Sequence, residues 1–142
     1  MGWSEWGFCT ASLDCAKHTY LYGLHKMSKP FDPAAFAQRQ LDAYNARDLE
    51  RFIGEYTDDV VVFRLPGTEP IMRGKQDLAE HYSKNRFNLP ELHAELVSRM
   101  VFGNKVIDQE YVTGVPGAPL EVAAIYEVTP AGISKVWFVS GS

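Results

Sequence analysis

The stretch Gln38–Phe63, QRQLDAYNARDLERFIGEYTDDVVVF, contains the passage from helix to strand that decides the fold. Asp48 is a typical N-cap residue, and the apolar residues after it have the i, i+3, i+4, i+7 spacing of one helical face: Leu49, Phe52, Ile53 and Tyr56. The four apolar residues from Val60 to Phe63 indicate a strand that is buried on both faces. The stretch therefore predicts a helix that includes Tyr56 and leads directly into a buried strand.

Two further helices are predicted on either side of this stretch. Asp32 and Pro33 form an N-cap followed by a first-turn proline, which predicts a helix that runs to about Asn45. The apolar side of that helix is Phe36, Leu41 and Tyr44. Another helix is predicted from Lys75 to about Asn85, with two residues directed inward: Leu78 and Tyr82.

The remaining elements are predicted to be strands. The strand that begins in DDVVVF ends at Pro66-Gly67, and IMRG at 71–74 is a short strand. Four more strands are expected at about 93–102, 105–113, 120–128 and 133–140, with a tight hairpin turn at Gly103-Asn104. This order predicts an α+β fold: a curved antiparallel sheet with three helices on one face. We expect a single domain over residues 27–142.

The composition excludes several classes of function. The 142 residues carry a net charge of −4 without a block of like charge, which argues against nucleic-acid binding. No stretch approaches the roughly 20 apolar residues that span a bilayer. The cysteines, Cys9 and Cys15, do not imply a disulfide framework, so a cytoplasmic location is expected. No cofactor is expected.

Residues 1–26 differ from the rest, because they show neither a helical period nor a strand alternation. Met27 would be a natural start, and the extension is most simply an upstream-start artefact or an added leader. The alternative is an arm that docks on the domain through aromatic anchors: Trp3, Trp6, Phe8 and Tyr20.

Three segments resemble the nuclear transport factor 2-like superfamily, and most closely its SnoaL-like and ketosteroid-isomerase-like branch: QRQLDAYNARDLERFIGEYTDDVVVF, GTEPIMRGKQDLAEHY and AIYEVTPAGISKVWF. The resemblance covers about Phe36 to Phe138. It implies a cone-shaped curved sheet wrapped around helices, with a pocket inside the cone and a homodimer formed through the sheet. Members include isomerases, polyketide cyclases, hydrolases and non-catalytic scaffolds.

The residues of the known ketosteroid isomerase mechanism do not carry over. By the match, Gln40 stands at the position of the oxyanion-binding tyrosine, and Arg64 stands at the position of the catalytic base. That mechanism also uses an aspartic acid on a late strand, which stays protonated and donates a hydrogen bond to the oxyanion. The match places this position near Ala124. The resemblance therefore predicts the fold and leaves the mechanism open.

The same match directs a different polar set into the pocket. Asp108 and Glu110 lie two apart on one strand and so share a face, which the match makes the inner face. Together with Arg64 and His81 they form the predicted catalytic set for acid-base chemistry, in which Arg64 holds one carboxylate. The predicted ligand contacts are Tyr56, Gln40, Tyr82, Tyr126 and Phe138.

Several alternatives remain open at this point. The hairpin turn would place Arg99 opposite Asp108, which could make an ordinary cross-strand pair. Arg64 could instead extend into solvent at the end of its strand. His93 and Glu95 could join Asp108 at a metal, but no tight ligand spacing supports this, and no metal is expected.

Two functions are compatible with these residues. The first is a small-molecule enzyme, an isomerase, cyclase or hydrolase, that acts on a hydrophobic substrate in the pocket by general acid-base chemistry. The second is a ligand-binding or dimerising module without catalysis. In either case we expect a homodimer through the apolar outer face of the sheet: Met100, Phe102, Ile107, Tyr111, Ile125 and Trp137.

Overall fold

The computed structural model describes residues 31–141, so the predicted extension and both cysteines lie outside the described residues. Three helices and six strands follow one another in the described part: α1 (Pro33–Asn45), α2 (Leu49–Gly54), β1 (Tyr56–Arg64), β2 (Pro70–Arg73), α3 (Gly74–Asn85), β3 (His93–Phe102), β4 (Lys105–Thr113), β5 (Leu120–Thr129) and β6 (Gly132–Ser140). None of the helices in residues 31–141 is long and apolar enough to cross a membrane.

Helix α1 begins as predicted, because the Asp32 carboxylate accepts a hydrogen bond of 3.1 Å from the backbone N–H of Ala34. Its buried residues include Ala37, Gln40 and Leu41. Phe36 was expected on this inner side but is only half-buried, since it lies one position away from the 37, 40, 41 stripe. The central position of the inner stripe therefore belongs to a polar residue, Gln40.

Helix α2 is shorter than its apolar spacing predicts. It ends at Gly54, and Tyr56 is the first residue of β1. The reason is a long-range contact: the carbonyl oxygen of Glu55 accepts a hydrogen bond of 2.8 Å from the N–H of Ile133, and Tyr56 pairs with Ile133. Tyr56 still faces the core and is 4% exposed.

The strands form one sheet in the order β2-β1-β6-β5-β4-β3. Neighbouring strands are antiparallel except β1 and β6, which are parallel; the expected sheet was antiparallel throughout. The turn at Gly103-Asn104 is confirmed, since Phe102 pairs with Lys105 across it. Helix α1 contacts β3 to β6, and α3 contacts β1 and β2. The fold is the predicted α+β class.

Strand β3 contains a bulge that the uninterrupted alternation did not predict. The register passes from Leu96 opposite Glu110 to Ser98 opposite Gln109, so Val97 has no partner on β4. Val97 is 55% exposed, so it does not lie on the inner face with Arg99. The bulge directs both Leu96 and Arg99 toward the inner face.

Candidate functional site

A cavity of about 160 Å³ lies between the inner face of the sheet and the three helices. The strands contribute residues from along their inner faces, and the helices contribute mostly aromatic side chains. The lining residues are Gln40, Leu41, Tyr44, Phe52, Tyr56, Arg64, Met72, His81, Tyr82, Arg86, Ala94, Glu110, Val112, Leu120, Glu121, Val122, Tyr126, Phe138 and Ser140. Its exposed lining residues, Arg64, Leu120, Glu121 and Ser140, define what we name the open end. All five predicted ligand contacts line this cavity.

A buried hydrogen-bond chain crosses the inner part of the cavity. The hydroxyl of Tyr56 donates to Gln40 Oε1 at 3.2 Å, and Gln40 Nε2 donates to the hydroxyl oxygen of Tyr126 at 3.0 Å and to the carbonyl of Ala37 at 3.1 Å. The hydroxyl proton of Tyr126 has no acceptor within residues 31–141. Tyr126 therefore retains one donor for a molecule that enters the cavity.

Glu110 is the carboxyl group that faces the cavity. Its side chain is 7% exposed and forms no hydrogen bond or ion pair with any described residue. Burial, together with the nearby negative charge of Asp108 and against the opposing effect of Arg99, raises the pKa of this carboxyl to about 7. At neutral pH Glu110 can therefore both accept and return a proton.

Asp108 shares the buried face with Glu110, but it does not line the cavity. Arg99 donates to it from Nε to Oδ1 at 2.7 Å and from Nη2 to Oδ2 at 2.9 Å, while Arg99 Nη1 donates to Gln38 Oε1 at 2.9 Å. The cross-strand alternative is therefore the correct one, although the pair is buried rather than at the surface. The expected place of Asp108 in the pocket is wrong.

Arg64 does not hold either strand carboxylate. The register runs from Arg64 through Phe138 and Ala124 to Asp108, so two strands separate the residues. Three strand spacings place the backbones of Arg64 and Asp108 about 14 Å apart along the sheet, which is too far for a direct ion pair between their side chains. Arg64 lies at the open end, exposed as the alternative expected, and forms no ion pair within the described residues.

His81 lines the cavity from α3 and is neutral at pH 7. Burial lowers its pKa, and the positive charges of Arg86 and Arg64 lower it further. The side-chain amide of Asn85 lies 3.3 Å from His81 Nδ1. With the amide nitrogen donating, a neutral His81 accepts at Nδ1 and carries its proton on Nε2.

The cavity tyrosines are all held in their protonated form. Burial raises the pKa of Tyr44 to about 12, and it raises the pKa values of Tyr56, Tyr82 and Tyr126 as well. The negative charge of Glu110 adds to the rise in each case. These hydroxyl groups can donate hydrogen bonds but cannot act as bases near neutral pH.

The three positions of the ketosteroid isomerase mechanism are distributed differently here. Gln40 is in the hydrogen-bond chain, Arg64 is at the open end, and Ala124 is buried opposite Asp108, outside the cavity lining. Sequence reasoning missed Arg86, which lies just after α3 and lines the cavity. The only feature of the sequence that pointed to Arg86 was its positive charge directly after the predicted end of that helix.

The metal alternative is contradicted for the part of the chain that the structure describes. His93 and Glu95 are exposed on the outer face, while Asp108 is buried on the inner face with Arg99. Within residues 31–141 no group of three or more histidine, cysteine, aspartate or glutamate side chains is placed to hold a metal ion.

Solved structures with the same fold come from several bacteria. A cystatin-fold protein from Novosphingobium aromaticivorans is 25% identical, with a TM-score of 0.70 over 76% of this chain and 97% of that one. A candidate ketosteroid isomerase from Kribbella flavida is 18% identical, with a TM-score of 0.66 over 78% of each chain. A candidate polyketide cyclase from Sinorhizobium meliloti is 17% identical, with a TM-score of 0.63 over 76% and 99%.

No curated protein matches the chain at a significant level. The family model described as the SnoaL-like domain matches residues 37–135, which include α2, α3 and β1 to β5 in full and most of α1. The chain therefore belongs to the SnoaL-like domain family, within the nuclear transport factor 2-like superfamily.

Proposed function

We propose that the chain is an enzyme that moves a proton next to the carbonyl group of a small hydrophobic compound, with Glu110 as the base. The observation that carries the proposal is the state of this carboxyl group. It is buried in the cavity wall, has no partner within residues 31–141 and has a pKa of about 7. A buried acid without a partner costs stability, and its presence in a cavity favours a chemical role.

The reaction class that fits is isomerisation of a β,γ-unsaturated ketone. The Glu110 carboxylate removes a proton from the carbon between the carbonyl and the double bond. The electron pair of that C–H bond moves toward the carbonyl oxygen to give a dienolate. Glu110 then returns the same proton to the far carbon of the former double bond. Atoms and charge balance without a cofactor or a co-reactant.

The developing oxyanion needs a hydrogen-bond donor, and Tyr126 is the best candidate. Its hydroxyl oxygen already accepts from Gln40 Nε2 at 3.0 Å, which leaves its proton for the ligand. Burial keeps this proton on the phenol. The Tyr56–Gln40 hydrogen bond orients the amide and thereby positions Tyr126.

The size of the cavity limits the substrate to one ring or a short chain. An engineered protein cavity of about 150 Å³ accommodates benzene, so about 160 Å³ accommodates a six-membered ring. The test substrate is therefore cyclohex-3-enone, whose conversion to the conjugated enone is followed by ultraviolet absorbance. We expect catalysis that Glu110→Gln reduces by roughly 10²–10⁴-fold.

A matched carboxylate supplies the control. Glu95 lies on the exposed face of β3, outside the cavity lining, and Glu95→Gln should leave the rate unchanged. Equal rates for wild type and Glu110→Gln would contradict the proposal. The second candidate, a ligand-binding module without catalysis, is favoured by the absence of the three ketosteroid isomerase residues. It predicts that cyclohex-3-enone binds and is not converted.

A further inference from the structure

Two arginines from different elements line the same cavity. Arg64 is the last residue of β1, and Arg86 follows the end of α3. Arg64 donates no hydrogen bond to a described residue, and Arg86 donates from Nη1 to the carbonyl of Asn85 at 2.8 Å and also hydrogen-bonds the Tyr44 hydroxyl. Most of their guanidinium N–H groups therefore remain available.

Neither guanidinium is neutralised by a carboxylate of residues 31–141. The ion pairs in that part of the chain involve other arginines and lysines. Glu110 and Glu121 line the same cavity but pair with neither arginine. The positive charges of both arginines lower the pKa of His81, which agrees with a positive region between β1 and α3. His81 itself stays neutral and adds no charge.

We infer that the cavity binds a small carboxylic acid, whose carboxylate Arg64 and Arg86 hold near the open end while its apolar body fills the aromatic interior. The inference rests on the proposed function, which makes this cavity the substrate site, and adds the class of substrate. Guanidinium groups bind carboxylates through paired N–H···O bonds, and two of them compensate the desolvation of an anion in an apolar cavity. The apolar body would then extend toward Glu110 and Tyr126.

The arrangement keeps the carboxylate of the bound substrate apart from the C–H group that reacts at Glu110. Glu110 lies on β4 in the strand row that continues through Val122 of β5 to Ser140 of β6, and Arg64 lies on β1 beyond β6. A carboxylate bound by the arginines is thereby kept away from Glu110, whose negative form would repel it. A substrate with its carboxylate at one end and its acidic C–H at the other satisfies both groups.

Benzoate and benzamide form the test pair, because they differ mainly in charge and both have one ring. Their dissociation constants are measured by calorimetry with the full chain at pH 7.5. We expect benzoate to bind at least about 10-fold more tightly than benzamide. Arg64→Gln and Arg86→Gln should each weaken benzoate binding roughly 10-fold and leave benzamide unchanged.

Arg73→Gln is the matched control, since Arg73 is an exposed arginine of β2 outside the cavity lining. It should not change benzoate binding. Equal affinity for the two ligands, no binding of either, or equal weakening by Arg73→Gln would overturn the inference. If Arg86→Gln does not fold, the exposed Arg64 decides the question through Arg64→Gln.

Glu110→Gln distinguishes this inference from the proposed function. It removes the base but leaves both arginines, so it should lower turnover roughly 10²–10⁴-fold and retain the preference for benzoate. Selective benzoate binding without isomerisation of cyclohex-3-enone would support the anion site and contradict the proposed reaction. Isomerisation without preference for benzoate would contradict the anion site alone.

Discussion

Arg99 binds Asp108 through two parallel hydrogen bonds, 2.7 Å from Nε to Oδ1 and 2.9 Å from Nη2 to Oδ2. The two residues lie opposite each other on β3 and β4, and the Asp108 side chain is completely buried. The pair therefore neutralises one of the two inward carboxylates of β4. The other one, Glu110, is left to the cavity, and its titration depends on both members of the pair.

Removal of Arg99 should destabilise the protein strongly. Arg99→Met leaves the Asp108 carboxylate buried without its cation, and we expect a loss of roughly 3 kcal/mol in the free energy of unfolding. The double variant Arg99→Met with Asp108→Leu should recover much of this loss, because it removes both charges together. Urea denaturation of the two single variants and the double variant measures the coupling energy.

Arg64→Met is the control for that cycle. Arg64 is exposed and forms no ion pair with a described residue, so its replacement should change the stability by less than about 0.5 kcal/mol. A loss of several kcal/mol from Arg64→Met, or a coupling energy near zero for Arg99 and Asp108, would contradict the assignment of the partner.

The pH dependence of activity should shift when the charge of Asp108 is removed and stay nearly the same when the charge of Arg99 is kept. Asp108 raises the pKa of Glu110 and Arg99 lowers it. Asp108→Asn should therefore shift the rising limb of the pH–rate profile to lower pH. Arg99→Lys, which keeps the charge but not the paired geometry, should shift it little. Profiles for cyclohex-3-enone check this, and a shift to higher pH for Asp108→Asn would count against Glu110 as the base.

Glu110→Gln should stabilise the protein at alkaline pH. The pKa of Glu110 rises from 4.5 in the unfolded chain to about 7 in the folded one. Below about pH 4.5 both states hold the proton and no penalty exists; as pH rises toward 7 the unfolded chain loses its proton first, and folding is increasingly disfavoured. At pH 8 the variant should be more stable than wild type by on the order of 3 kcal/mol.

The comparison at two pH values provides the internal control for this prediction. At pH 4 the difference between Glu110→Gln and wild type should be close to zero, and Glu95→Gln should show no difference at either pH. A Glu110→Gln variant that is less stable than wild type at pH 8 would mean that the carboxylate has a stabilising structural partner.

Local patterns in the sequence were sufficient for most of the elements. Strand β4, Lys105–Thr113, has the predicted bounds because the Gly103-Asn104 turn and the burial alternation both depend on neighbouring residues. The early end of α2 could not be predicted, because it depends on the pairing of Tyr56 with Ile133, far away in the chain. The bulge at Val97 carries no glycine or other turn residue that would reveal it.

The candidate site was predictable in its parts, whereas its pairings could be given only as alternatives, of which Arg99 with Asp108 is the correct one. The spacing of Glu110 and Asp108 placed them on one face, and the family resemblance made that face the inner one, where both are buried. Which arginine pairs with Asp108 depends on the strand order, because β6 and β5 lie between β1, which carries Arg64, and β4. The alternation of polar and apolar residues along one strand contains no information about how many strands separate it from another.

The ketosteroid isomerase reaction should be absent or very slow. Gln40 has no acidic hydroxyl, Arg64 cannot act as a base at neutral pH, and Ala124 does not line the cavity. The cavity of about 160 Å³ also holds only one ring of a steroid. An assay with a β,γ-unsaturated ketosteroid should therefore show no conversion under conditions in which cyclohex-3-enone reacts. Efficient steroid turnover would contradict the described cavity.

The outer face of the sheet should form a homodimer. Strand registers align one residue from each of five strands into an apolar line, which we name the outer row: Met100, Ile107, Ile125, Trp137 and Phe63. Met100 is 53% exposed, and the rings of Phe63 and Trp137 stack with centroids 5.7 Å apart. Two further residues of the predicted interface flank the row and are also exposed: Phe102 and Tyr111. A row of apolar side chains of this length is more favourable when it packs against a second copy of the chain than when it is exposed to water.

Ile125→Lys tests the dimer, because Ile125 is at the centre of the outer row and its replacement places a charge in the interface. Wild type should sediment as a dimer at micromolar concentration, and Ile125→Lys should sediment as a folded monomer. Gln76→Lys, the same change of one charge unit at an exposed position of α3, should leave the dimer intact. The cavity lies on the opposite face from the outer row, so the monomeric variant should still convert cyclohex-3-enone. A wild-type monomer at these concentrations would contradict the dimer without affecting the assignment of Glu110.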